Sequence, residues 1–124
     1  MKRIACTAFL AAVVMILPAA ASADSTISQM ATMVINLNHY PSEAEKKVLA
    51  GIVADEHASR GEKVIAGALM RMQHRVAGSD AEKLMQLESD ESASGAEREL
   101  AAILRGIAHH PTPADIERLK AIAR

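Results

Sequence analysis

The stretch Asp55-Glu56-His57-Ala58-Ser59-Arg60-Gly61-Glu62 returns 35 residues later as Asp90-Glu91-Ser92-Ala93-Ser94-Gly95-Ala96-Glu97. The same offset links much of the surrounding chain. His39, His74 and His109 share one register, Leu49, Leu84 and Leu119 a second, and Glu45, Asp80 and Asp115 a third. Ala66 maps to Ala101, Leu69 to Leu104, and Pro41, across Val76, to Pro111. So many agreements at one offset define an internal repeat, which governs how everything else in the chain is read.

Each copy reads as two helices. In the first copy Ser42-x-x-Glu45 is a capping box: the serine oxygen accepts from a backbone N–H that the helix leaves free, and the glutamate reaches back to the cap. Val48, Leu49, Ile52 and Val53 then fall on one apolar face at helical spacing. Ser59-x-x-Glu62 opens a second helix, with Val64, Ile65, Ala68, Leu69 and Met72 as its stripe. The second copy offers Ser79-x-x-Glu82 ahead of Leu84 and Leu87, and Ser94-x-x-Glu97 ahead of Leu100, Ile103, Leu104 and Ile107. The third offers Thr112-x-x-Asp115 ahead of Ile116, Leu119 and Ile122, then stops at Arg124 after one helix. Shifting Ser59 back by one period reaches Asp24, another good cap, followed by Ile27, Met30, Val34 and Leu37.

The expected fold is therefore all-α: five to six short antiparallel helices, arranged as 35-residue hairpin repeats with phases near 24–38, 39–73, 74–108 and 109–124. An open solenoid-like array and a compact bundle both satisfy this pattern. Nothing alternates with period two, so no sheet is expected. The period is close to that of tetratricopeptide and other helix-hairpin arrays, but the Trp/Gly/Tyr/Pro pattern of the tetratricopeptide is missing.

The first 23 residues have another character. Lys2 and Arg3 precede an apolar run from Ile4 to Leu17; Pro18 breaks it, and Ala21-Ser22-Ala23 offers small residues at the positions a signal peptidase reads. The run is short for a bilayer span, which needs ~20 residues. A cleaved signal peptide over 1–23, a single domain over 24–124 and a periplasmic or secreted location follow as expectations. The one cysteine, Cys6, lies in the signal, so the mature chain carries no thiol. Twelve of the 14 Lys+Arg and all 15 Asp+Glu lie beyond the signal, a formal charge of −3. That mild acidity gives no electrostatic case for nucleic acid, and no membrane span is expected after cleavage. Tyr40 is the only mature aromatic, so the core must come from aliphatic side chains and methionine.

Chemistry-bearing residues are few. There is no Gly-x-Ser-x-Gly, no catalytic cysteine and no glycine-rich phosphate loop; Ser42, Ser59 and Ser94 serve as caps. Acidic pairs such as Asp90-Glu91 sit in polar connections and first turns, where they favour the helix dipole. Gly67 and Gly106 fall inside helices, where a small residue permits close helix approach. His39, His74 and His109 each follow one helix and precede the next, with an acid six residues on. One structural role covers all three: a histidine near a helix C-terminus meets free carbonyls, and its ring reaches the acid of the next first turn. The alternative is a copper or zinc site drawing on His39, His74, His109 and His110, with His57, Met70 and Met72 as further donors. Against it, equivalent positions in stacked repeats lie roughly one helix spacing apart, ~8–10 Å. The expectation is thus a non-enzymatic interaction module of the cell envelope that works with a protein partner or by self-association. It needs no metal or cofactor, and metal binding or buffering is the alternative.

Overall fold

The computed structural model describes residues 23–124; the expected leader lies outside them apart from Ala23. Six helices follow one another: α1 (Ala23–Ile35), α2 (Glu43–Ala54), α3 (Arg60–Met70), α4 (Gly78–Glu88), α5 (Gly95–Gly106) and α6 (Pro113–Ala123). Among the described residues there is no strand, and isolated bridges occur only across the residues flanking His39, His74 and His109.

Capping boxes start four of the helices. Ser42 with Glu45, Ser59 with Glu62, Ser94 with Glu97 and Thr112 with Asp115 each close both hydrogen bonds. The second copy departs from expectation. Helix α4 starts at Gly78 behind Ala77, which has no side-chain cap bond, so Ser79 lies inside the first turn. Ala77 occupies the register of Ser42 and Thr112, and the period, not the nearest serine, sets the helix start. Asp80, the counterpart of Glu45 and Asp115, has no hydroxyl partner there. It is buried and takes two hydrogen bonds from Arg71 instead, at 3.0 and 2.6 Å. The N-terminal helix departs by less: α1 includes Asp24 within its first turn rather than starting after it.

Helices α1, α3 and α5 touch one another, while α2 lies against α3, α4 against α5 and α6 against α1. The last of these contacts decides the architecture. The first and last helices, each lacking a hairpin partner in sequence, supply one another, and Ser28 Oγ donates to the Ala123 carbonyl at 2.7 Å. The chain closes on itself.

Among the positions that carry the same residue in all copies are Ala31/Ala66/Ala101, Leu49/Leu84/Leu119 and His39/His74/His109. The alanines and leucines are fully buried. Alanine where the inner helices meet lets their backbones approach, and each leucine fixes its outer helix to the core. Met30, Val34, Ile65, Leu69, Leu100 and Leu104 complete the inner packing. The helical glycines act differently from expectation. At Gly67 a Cβ would come within 2.9 Å of the Arg71 guanidinium, so the missing side chain makes room for the Arg71–Asp80 pair rather than for a helix. Nothing lies within 4 Å of the corresponding point at Gly106.

Candidate metal centre

Each of the identical histidines sits in the loop that leads from an inner helix to an outer one. Its φ is +69° at His39, +63° at His74 and +72° at His109. No other described residue has positive φ, glycine included. The residues on either side bond across it. Tyr40 N–H donates to the Asn38 carbonyl at 2.9 Å, Arg75 N–H to Gln73 at 2.6 Å and His110 N–H to Ala108 at 2.9 Å. This three-residue γ-turn of positive φ is rare and strained for an L-residue, and glycine is its natural occupant.

The three turns are tied into a ring by their own backbones. His39 N–H donates to the His109 carbonyl at 3.0 Å, His74 N–H to His39 at 2.8 Å and His109 N–H to His74 at 2.7 Å. Residues 35 and 70 apart in sequence are thereby held as neighbours, and their rings follow. Ring centroids are 5.0, 5.0 and 5.4 Å apart, and the rings meet edge to face. The Nδ1 atoms of His39 and His74 are 3.2 Å apart, and those of His74 and His109 3.1 Å. All three residues offer a ligand nitrogen within 4.8 Å of the other two.

These distances overturn the spacing expected of stacked repeats. Closure through α1 and α6 points the three loops inward at one end of the molecule, where an open stack would have strung them along a line. The proposed ring-to-acid contact is also replaced. The Glu45 carboxylate accepts from Ser42 N–H at 2.8 Å, that of Asp115 from Thr112 N–H at 3.3 Å, and Asp80 is held by Arg71. The rings turn to each other.

The other candidates stay outside the cluster. His110 places its Nδ1 3.3 Å from the Pro111 carbonyl oxygen. His57 lies in the α2–α3 connection, where its backbone N–H donates to Asp55 Oδ1 at 2.9 Å. Met72 is buried in the register of Leu37 and Ile107, a core position.

Protons satisfy this arrangement poorly. A neutral imidazole nitrogen either carries a hydrogen or offers a lone pair. His74 Nδ1 faces two other Nδ1 atoms and so cannot donate to one while accepting from the other. A cation accepts all three lone pairs at once. Zinc–nitrogen bonds of about 2.0–2.1 Å at tetrahedral angles place ligand nitrogens about 3.3 Å apart, close to the separations seen here. A tripod of three such nitrogens would leave a tetrahedral ion one coordination position for another ligand.

A second polar group marks the opposite end of the inner helices. Glu62 and Glu97 are buried. Glu62 accepts from Ser59 N–H at 2.9 Å through one oxygen, while its Oε1 has no partner among the described residues. Glu97 accepts from Ser94 N–H at 2.8 Å and from the Ser59 hydroxyl. Burial pushes the Glu62 carboxyl up from its ordinary value against the pull of the Ser59 N–H, and the charges of Glu97 and Asp55 add to the rise. At Gly61 a Cβ would stand 2.7 Å from the Glu97 carboxyl carbon, so glycine is what lets this acid rest on the start of α3.

No protein-family model, curated protein or solved structure matches the chain.

Proposed function

We propose that this chain is an exported metal-binding protein whose three histidine loops hold one divalent transition ion, zinc above all. The observation that carries the reading is the convergence of three identical histidines, each on a positive-φ backbone, with Nδ1 separations of 3.1–3.2 Å. A non-glycine residue in such a conformation costs of order 1–3 kcal/mol. Three copies of that cost fall where glycine would relieve it, which argues that the side chain is what is needed. The donor set is all imidazole, suited to zinc and copper(II). Met72 is in the core and the expected mature chain has no thiol, so of the candidate soft donors Met70, in the wall of the cleft beside His74, is the one left. In this reading the chain binds and releases the ion rather than performing catalysis.

The interaction module expected from the repeat drew on the extended faces of stacked hairpins and on a thin core without disulfides; the contact of α1 with α6 bears on the first of these alone.

Isothermal titration of residues 24–124 with zinc tests the reading. One equivalent is expected to bind, weakening as the solution is acidified because imidazole must be neutral to ligate. Binding no tighter than that of a free histidine peptide, or binding retained in H74A, would overturn it.

A further inference from the structure

The tripod has a neighbour that fits a ligand. A cleft of about 340 Å³ is lined by His74 itself and by Tyr40, Lys46, Met70, Arg71 and Gln73, among others. That volume is at the small end of the range for sites of small organic molecules. Tyr40 follows the metal-ligand candidate His39 directly, so two of the three histidine loops form part of the cleft or adjoin it in sequence.

The charge of this cleft is unlike that of the chain. The protein is acidic beyond its leader, yet two cations and no carboxylate line these walls. The two cations are not equivalent. Arg71 is committed to buried Asp80 through two hydrogen bonds. Among the described residues Lys46 is paired only with Glu43, whose side chain is 87% exposed, and a pair so open to water holds its lysine weakly. One positive charge is therefore available, beside a phenol, an amide and the thioether of Met70.

We infer that this cleft seats a small organic carboxylate, whose carboxyl group fills the fourth coordination position of the tripod metal and pairs with Lys46. The inference rests on the metal reading above. With the ion's own charge counted, a carboxylate can give one oxygen to the metal and the other to Lys46, while Arg71, already engaged by Asp80, does not offer a further side-chain cation for a phosphate's third oxygen. The Met70 and Tyr40 surfaces accept an apolar body, which favours an organic acid over bicarbonate.

Cobalt(II) serves as a coloured stand-in for the metal. The cobalt-loaded chain is titrated with acetate, butyrate and phosphate while its visible spectrum is followed. A saturable spectral change is expected with both carboxylates, butyrate binding more tightly than acetate. K46A is expected to weaken butyrate about fivefold, the worth of one partly exposed ion pair, with cobalt affinity measured in parallel on the same variant. A tetrahedral cobalt spectrum that no carboxylate alters would overturn the inference and leave the metal reading standing. Equal butyrate affinity in K46A, or phosphate binding more tightly than either carboxylate, would overturn it too. Failure to take up cobalt at all would instead sink the metal reading on which it depends.

Discussion

Where the inner helices end, positions 39, 74 and 109 are all histidine; where they begin, the equivalent positions 27, 62 and 97 hold isoleucine, glutamate and glutamate. The two ends descend from one repeat and differ in what has been held constant. At the beginning, all three side chains are buried and the residue type has drifted. Isoleucine fills the same kind of space as a glutamate that caps its own helix, so packing tolerates either. At the histidine end His74 and His109 are exposed, His39 is partly buried and the backbone is strained, yet the residue is the same in every copy. Neither burial nor local conformation asks for histidine there. The shared ligand proposed above would.

The sharpest way to break this contrast is to remove one ring. H74A is expected to lower zinc affinity about 100-fold or more, beyond the 10–100-fold cost of losing an outer-shell partner, measured by competition with a chelating dye. Glycine at the same site carries a second expectation: H74G should bind metal as poorly while raising the stability of the metal-free protein by about 1 kcal/mol in urea, because the γ-turn is then unstrained. A loss of stability in H74G would mean that the ring serves the fold.

Next in size is the pair that replaces the missing cap of α4. R71A leaves buried Asp80 without its main partner. It is expected to cost about 2 kcal/mol by denaturant titration, less than a fully buried pair because Arg71 is half exposed. The Arg71 hydrogen bonds hold the Asp80 carboxyl below its ordinary value, against the opposing effect of burial. The stability it supplies is full above the ordinary carboxyl range and is lost as pH falls through the depressed value. R71A should flatten that acid limb.

Glu62 works in the opposite sense. Its pKa is raised on folding, chiefly by burial, so its favourable contribution is complete below the ordinary carboxyl range and disappears as pH rises through the raised value. E62Q is expected to stabilise the protein by on the order of 1 kcal/mol at pH 8, where the glutamate would otherwise be a buried charge, and by less as the pH is lowered. Thermal melts at several pH values read this directly; a pH-independent gain would assign the effect to packing alone. The smallest change is A77S, which restores the capping hydroxyl at the start of α4. A gain of about 0.5–1 kcal/mol is expected, with zinc affinity untouched.

The helices and four of their caps were legible because they rest on local chemistry: a hydroxyl, an acid three residues on, an apolar stripe. The cap of α4 was misplaced because Ser79-x-x-Glu82 satisfies the same local rule two residues late, and only the period points to Ala77. Closure was harder to read. A repeat length specifies two helices per copy but not the rotation from one copy to the next, and that rotation separates a row of histidines from a ring of them. One signal was available: residues 23–124 open on an inner helix with no outer partner and end on an outer helix with no inner one, so α1 and α6 are complementary. The positive φ values left no trace, because such turns are recognised by glycine and these carry histidine.

The contact between α1 and α6 has a consequence for how the molecule can be cut and rejoined. Because the third hairpin is assembled from α6 and α1, the peptide connections α2–α3 and α4–α5 are no more essential than the one missing between α6 and α1, whereas the other three carry the histidines. Joining Arg124 to Asp24 through a four-residue Asp-Glu-Ser-Ala linker, as in residues 90–93, and opening the chain after Ser89 should give a circular permutant. Its fold and its three-histidine ring should be those of the parent, although its helices occur in a different order.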